Sequence, residues 1–284
     1  WPGYRGSINK RCVTLAEALK GAGYKNYMSG KWHLTRHKNP NGDRSAWPMQ
    51  RGFDRFYGTI TGAGSFYDPA TLCRGNTYIT PENDPGYHPE SFYYTDAIND
   101  NAIRFIGDHC GDNEASDKPF FLYLSHKAVH ANFDPAQRHK NQYSDAEIQV
   151  PDSQADTAEN YLGKPMWVKN QRNSWHGVDF PYHSELDVKE YKRQYHRALS
   201  AVDDRLGRIT KWLKANNLEE NTAVILMGDN GFMFGEHGLI DKRNAYEESM
   251  RVPLLAYGPG LKANHRVEQI VANIDIAPTI LDIA

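Results

Sequence analysis

GDNGFMFGEHGLIDKRNAYEESMRVPLLAYGPG, residues 228–260, is the stretch on which the fold turns. It follows TAVILM (222–227), a short β-rich apolar run of the length of a strand buried in a parallel sheet. Asp229 and Asn230 then stand at the carboxyl end of that strand. Ligands of open α/β sheets bind in the crevice outside the carboxyl ends of the strands. An Asp carboxylate beside an Asn carbonyl offers the hard oxygen donors that Ca2+ or Mg2+ takes. Asp-Asn-Gly is also ordinary turn chemistry, and the tripeptide alone leaves both readings open.

Outward from this stretch the chain alternates helix and strand, the pattern of an α/β fold with a mostly parallel sheet flanked by helices on both faces. TLAEALKGAG (14–23) opens with Thr14 and carries Glu17 three residues on, a capping-box signature, and YKNYMS (24–29) follows as a strand. Residues 94–109 place Ile98, Ala102, Phe105 and Ile106 at helical spacing ahead of the strand FFLYLS (120–125). Between about 187 and 216, Tyr195, Leu199, Val202, Leu206, Ile209 and Leu213 predict a long helix with one apolar stripe. VPLLAY (252–257) reads as another strand and 275–283 as a last short helix.

Two stretches, 34–93 and 131–186, carry Pro, Gly, Asn and Asp without a sustained period and read as long loop excursions. Their many aromatic residues argue against disorder, since such side chains need a packed surface. SWHGVDFPYH (174–183) is the candidate wall for a sugar or aryl ring, because Trp and Tyr present flat apolar faces with polar rims; the same aromatics would serve equally to hold the loop down.

Composition bounds the function. The 284 residues, 39% hydrophobic and 24% charged, suffice for a large α/β domain. A net charge of −2 gives no reason to expect a nucleic acid or an anionic membrane as partner. No run of about 18 apolar residues is present to span a bilayer. The amino terminus, WPGYRGSINKRC, is polar and lacks an initiating Met, so the chain is expected to begin inside a longer one. Cys12, Cys73 and Cys110 form no CxxC pair, and one disulfide or three free thiols fit equally. The absence of an N-x-S/T sequon favours a bacterial exported protein over a glycosylated eukaryotic one.

The chemistry-bearing residues all follow predicted strands: Lys31 and His33 after YKNYMS, His130 after FFLYLS, and Asp229, Asn230 and Lys242 after TAVILM. One crevice would therefore collect two lysines, two histidines and a pair of metal-type ligands. Those are the groups an anionic ester needs: cations around its oxygens, a metal to polarise it and an acid for the leaving oxygen. Each alone is weak, since a single Lys is ordinarily a solvated charge and a single His a structural group. His126, His130 and Asp134 recur every four residues, a zinc-ligand spacing if helical, but Pro135 and the preceding strand argue for a loop.

The order of elements resembles the sulfatase family, the arylsulfatase-like branch of the alkaline-phosphatase superfamily. The resemblance rests on Asp229-Asn230-Gly231, Gly235-Glu236-His237-Gly238, Asp241-Lys242-Arg243 and YEESMRVPLL (246–255). It extends to TLAEALKGAGY with SGKWHL (14–34), RGFDRFYG (51–58), PFFLYLSHKAVH (119–130) and NIDIAPTILDIA (273–284). What it implies is a sulfuric ester hydrolase using Ca2+ (Mg2+ as second choice) and a formylglycine made from a cysteine in Cys-x-Pro/Ala-Ser-Arg by a formylglycine-generating enzyme. The hydrated aldehyde attacks sulfur, and the sulfated hemiacetal then eliminates sulfate.

By the same resemblance Lys31 binds the sulfate, His33 assists breakdown of the intermediate, and His130 and Lys242 bind sulfate and protonate the leaving oxygen. His237 is a candidate substrate contact, Asp229 and Asn230 are two of the metal ligands, and the protein is periplasmic or extracellular. No Cys-x-Pro/Ala-Ser-Arg occurs in the chain, and the family's amino-terminal Asp-Asp pair is missing. Residues 1–284 are therefore expected to be the central part of a sulfatase catalytic domain, incomplete at both ends and inactive alone. The Gly-Glu-His-Gly loop and SWHG resemble sulfatases of sulfated sugars such as glucosamine-6-sulfatases, whereas RGFDRFYG points to the general arylsulfatase branch. The alternatives are a sulfatase-like protein that binds sulfated glycans without cleaving them, and a phosphodiester or phosphonate hydrolase of the same superfamily.

Overall fold

Lys25–Gly30 forms β1, the strand around which a five-stranded sheet is ordered β4-β3-β2-β1-β5. The structure is a computed structural model and describes residues 6–62, 64–155, 157–172 and 187–284. β2 (Arg55–Thr59) and β5 (Phe120–Ser125) flank β1 in parallel, while β3 (Leu72–Arg74) and β4 (Thr77–Tyr78) add an antiparallel edge. Burial of Asn26 through Ser29 marks a strand covered on both faces, and the Asn26 NH2 and the Ser29 hydroxyl are paired, while Asn26 Oδ1 is buried without a partner among the described residues. The Asn26 amide donates to the carbonyls of Ala16 (2.9 Å) and Gly52 (3.2 Å), and the Ser29 hydroxyl donates to that of Ile98 (2.6 Å).

Helix α1 (Leu15–Gly21) starts at the predicted capping box: the Thr14 hydroxyl accepts from the Glu17 N–H (3.1 Å) and the Glu17 carboxylate from the Thr14 N–H (2.8 Å). Helix α2 (Tyr94–Gly111) buries Ala97, Ile98, Ala102, Phe105 and Ile106, the face its spacing predicts. RGFDRFYG, read as part of a loop excursion, contains β2. Its Phe56 to Thr59 are all buried, so the strand shows no alternation to read.

The contacts divide the chain into two compact units, one of residues 1–139, 198–213 and 270–284, the other of 140–197 and 214–269. In the second lie the short helices α3 (Ala158–Tyr161) and α4 (Met166–Arg172), and α6 (Glu247–Met250). It also holds β6 (Val224–Met227) paired with β9 (Leu254–Tyr257), and β7 (Met233–Phe234) paired with β8 (Ile240–Asp241). TAVILM is thus a strand, but its partner runs antiparallel and its side chains are half-buried rather than enclosed. Four apolar residues do not encode the direction of a partner.

Helix α5 (Val188–Ala215) runs through both units. Its buried line is Ala198, Ala201, Ile209 and Leu213, whereas Leu199, placed on the predicted stripe, is 41% exposed. The stripe is centred one residue over, and two small alanines let α5 approach. Within the first unit α5 lies along α2, with the Asn99 amide donating to the Arg205 carbonyl (2.9 Å) and Arg205 paired with Asp96 (2.6 Å). The last helix, α7, is Ile276–Ile283. All three cysteines are free. No helix of the described residues is long and apolar enough to cross a membrane. SWHGVDFPYH lies outside the described residues.

Candidate functional site

In the first unit the carboxyl ends of β1, β2 and β5 build one edge. Lys31, directly after β1, is locked to the end of β5: its N–H donates to the Ser125 carbonyl and the Ser125 hydroxyl donates to the Lys31 carbonyl, both at 2.8 Å. The approach is close because Gly30 has no side chain; a Cβ there would lie 1.9 Å from the Ser125 oxygen, and its φ of +128° also favours glycine. The next two residues turn to β2, with the N–H of Trp32 donating to the Thr59 carbonyl (2.9 Å) and that of His33 to the Ile60 carbonyl (3.0 Å). Buried Trp32 anchors this turn through its indole N–H to Ala46 (2.8 Å) and its edge against Phe53. His33, at φ 57°, stays exposed, and its imidazole lies against Gly62, where a Cβ would come within 2.1 Å of Nδ1.

His130 comes from the loop after β5. Its N–H closes a turn on the Lys127 carbonyl (2.7 Å), and its Nδ1 is 2.9 Å from the Ala131 carbonyl. A carbonyl only accepts, so Nδ1 carries a proton in this contact. Two tyrosines from the first excursion pin the loop: Tyr93 donates to the Asp134 carbonyl (3.0 Å) and Tyr67 to that of Pro135 (2.7 Å). His126, His130 and Asp134 lie on this loop and share no helical face. Burial pushes His126 down to about 4, keeping it neutral at pH 7.

Lys127 is a residue that the sequence alone did not single out. Its side chain is buried, its Nζ lies 3.7 Å from the Phe66 ring centroid and 3.3 Å from the His130 carbonyl, and burial pushes its ammonium down to about 8. The positive charge of Lys31 adds to that shift and the carboxylate of Asp134 opposes it. The one available signal was HKAVH itself, a lysine two residues past a strand end and three before a candidate histidine.

In the second unit Asp229 and Asn230 sit exposed after β6. The Asp229 carboxylate accepts from the Asn230 N–H (2.9 Å), and the Asn230 amide donates to the Gly231 carbonyl (2.7 Å). The Gly231 N–H donates to the Ser249 carbonyl (2.8 Å), holding this turn against α6. His237 stacks on Tyr246 with centroids 3.7 Å apart, its N–H donates to the Ser153 hydroxyl (3.0 Å), and its Nε2 stands 3.8 Å from Glu248. Lys242 follows β8, next to buried Asp241, which pairs with Arg243. The turn reading of Asp229-Asn230 is met by these hydrogen bonds. The pair offers two neighbouring oxygen donors that suit a hard cation as part of a shell, and among the described residues no cluster of three His, Cys, Asp or Glu forms a complete one.

The Sulfatase family model matches residues 2–284. The chain belongs to the sulfatase family. The N-acetylglucosamine-6-O-sulfatase of Bacteroides thetaiotaomicron is 27% identical to it, over 95% of this chain and 53% of the relative. The goat (Capra hircus) N-acetylglucosamine-6-sulfatase is 30% identical over 69% of this chain and 34% of its own length. A solved structure described as in complex with its substrate D-glucosamine-2-N,6-O-disulfate superimposes with a TM-score of 0.72 at 26% identity, over 98% of this chain and 62% of that one. A phosphonate monoester hydrolase from Silicibacter pomeroyi shares the fold, with a TM-score of 0.73 at 18% identity over 99% and 59% of the two chains. This sulfatase chain therefore spans about half the length of the first of these curated relatives, 53% of it.

Proposed function

We propose that the protein to which this chain belongs hydrolyses a sulfate ester of a sugar, of the 6-O-sulfated glucosamine class. The observation that carries the reading is that Lys31 and His33 follow β1 and His130 follows β5, two parallel neighbours of one sheet, on a chain whose relatives include enzymes named for that sugar ester. Aryl sulfates are the second substrate class.

In this reading Lys31 holds the sulfate oxygens, with its backbone fixed by Ser125 so that little ordering is left to the moment of binding. His130, whose Nδ1 proton is engaged by Ala131, acts as the imidazolium and gives its Nε2 proton to the leaving oxygen, returning to the neutral Nδ1–H tautomer. His33 exchanges a proton on the nucleophile's side. Lys242 stabilises the charge that grows on the leaving oxygen, and His237, flat on Tyr246, lines the sugar side. Asp229 and Asn230 would hold Ca2+, which supplies polarisation of the ester, and a formylglycine would supply the nucleophile. Sulfated glycan and formylglycine-generating enzyme are the partners, and the compartment is periplasmic or extracellular.

The test is release of inorganic sulfate by the full-length protein from N-acetylglucosamine 6-sulfate, 4-nitrophenyl sulfate and a phenyl phosphonate ester. Preferred turnover of the sugar sulfate is expected. Saturable binding without turnover would replace this reading with a glycan-binding protein, and preference for the phosphonate ester with a phosphonate hydrolase.

A further inference from the structure

We infer that Lys127 is a positioning residue of the anion site: a second, buried ammonium that fixes the turn carrying His130 and adds its charge to that of Lys31. The inference rests on the sulfatase reading for the anion it names, and on geometry for the rest. Lys127 is 4% exposed, so it does not itself reach a substrate. Burying an ammonium is strongly unfavourable unless something compensates. Here the direct contacts are a ring face and a carbonyl oxygen, Phe66 at 3.7 Å and His130 at 3.3 Å, and the Asp134 carboxylate adds a Coulombic attraction. Both direct contacts attract the cation, and neither neutralises it. These two contacts leave the ammonium charged, within electrostatic reach of both Asp134 and Lys31, where a purely structural role would be met better by a methionine of the same reach.

The seat is built. Phe66 is fully buried and stacks on Tyr93 at 5.7 Å and 14°, and the Tyr93 hydroxyl holds the Asp134 carbonyl. Lys127 and His130 grip each other twice, through the His130 N–H to the Lys127 carbonyl (2.7 Å) and through the Lys127 ammonium to the His130 carbonyl. The imidazole is tied in turn to Ala131 (2.9 Å). Removal of the ammonium loosens the carbonyl at the root of that chain and moves the ring. The charged groups acting on Lys127 are Lys31, which follows β1, and Asp134, on the same loop.

The test uses the full-length protein as wild type, Lys127→Met and Lys127→Arg. It reads the affinity for inorganic sulfate by calorimetry and the His130 ring resonances by histidine-selective NMR. Lys127→Met is expected to weaken sulfate binding about tenfold, the effect of one charge roughly 12 Å away at an effective dielectric near 20, and to shift the His130 resonances. Lys127→Arg should restore the affinity and leave the resonances shifted. Wild-type sulfate affinity should also fall through an inflection near pH 8, which Lys127→Arg abolishes, and this holds even if Lys127→Met does not fold. A Lys127→Met protein with unchanged sulfate affinity and unchanged His130 resonances, or a wild-type affinity flat between about pH 7 and 9.5, would overturn the inference. Should the expected shifts appear while no sulfated sugar is hydrolysed, the positioning role stands and the hydrolase reading falls.

Discussion

Ser125 and Lys31 hold each other by two reciprocal hydrogen bonds of 2.8 Å, the backbone N–H of one to the carbonyl of the other and the serine hydroxyl back to the lysine carbonyl. The clip joins the last residue of β5 to the first residue past β1, so the sheet register continues into the candidate site. Ser125→Ala removes one of the two bonds and leaves the strand pairing. It should lower unfolding free energy by about 1 kcal/mol in urea titration, with an unchanged m-value. If Lys31 binds the sulfate, kcat/KM should fall by more than that loss explains, about tenfold or beyond, because small misplacements at a reacting centre are costly.

Gly62 and His33 make the converse test. A methyl group at residue 62 would sit 2.1 Å from Nδ1 and 2.3 Å from Cε1 of the His33 ring. What it meets is a side chain at an exposed position, so the ring moves and the fold stays. Gly62→Ala should therefore leave Tm within about 2 °C, as for a mild surface change, while shifting the His33 ring resonances and cutting kcat. A drop in Tm with intact kcat would remove His33 from the chemistry.

The legible parts of this chain were those whose signal is local. Thr14 with Glu17 announced α1, and the apolar spacing of Ile98, Ala102, Phe105 and Ile106 announced α2, because capping and periodicity are written within a few residues. That Lys31 and His33 follow one strand and His130 another could be read from the apolar runs YKNYMS and FFLYLS. β2 was not legible: its Phe56 to Thr59 are all buried and carry no alternation. Neither was the antiparallel partner of β6, because direction is decided by where the chain returns. Lys127 escaped for a different reason. A lysine is read as solvated by default, and only packing against Phe66 reveals a buried one.

Glu17 ties the first helix to pH. Its carboxylate accepts from Arg51 Nε at 2.8 Å, and that bond holds its pKa below the ordinary carboxylate range, with the Thr14 N–H helping. A group whose folded pKa is depressed contributes stability that is present above its unfolded value of about 4.3 and is lost as pH falls through the folded value. Unfolding free energy should therefore decline below about pH 4.3 with a component that Glu17→Gln removes. Denaturant titrations of both proteins between pH 7 and 3 check this, and parallel pH profiles would show that Arg51 gives Glu17 no net support.

Asp229 carries the last prediction, since it is asked to act both as a turn residue and as a metal ligand. As a turn residue it accepts the Asn230 N–H at 2.9 Å, a role that Asn at the same position retains. As a ligand it supplies charge, which Asn lacks. The two roles separate in a thermal-shift experiment on the full-length protein. Saturating Ca2+ should stabilise the wild type by about 2.7 kcal/mol at a hundredfold excess over Kd, because a ligand bound only by the folded state shifts the equilibrium by mass action. Asp229→Asn should keep the wild-type Tm in chelator and lose most of the Ca2+ response. Asp229→Ala should fall slightly below both in chelator, by the loss of one exposed turn hydrogen bond of about 0.5–1 kcal/mol, and respond as weakly as Asn. Equal Ca2+ stabilisation of wild type and Asp229→Asn would leave Asp229 as a turn residue alone and move the metal elsewhere in the protein.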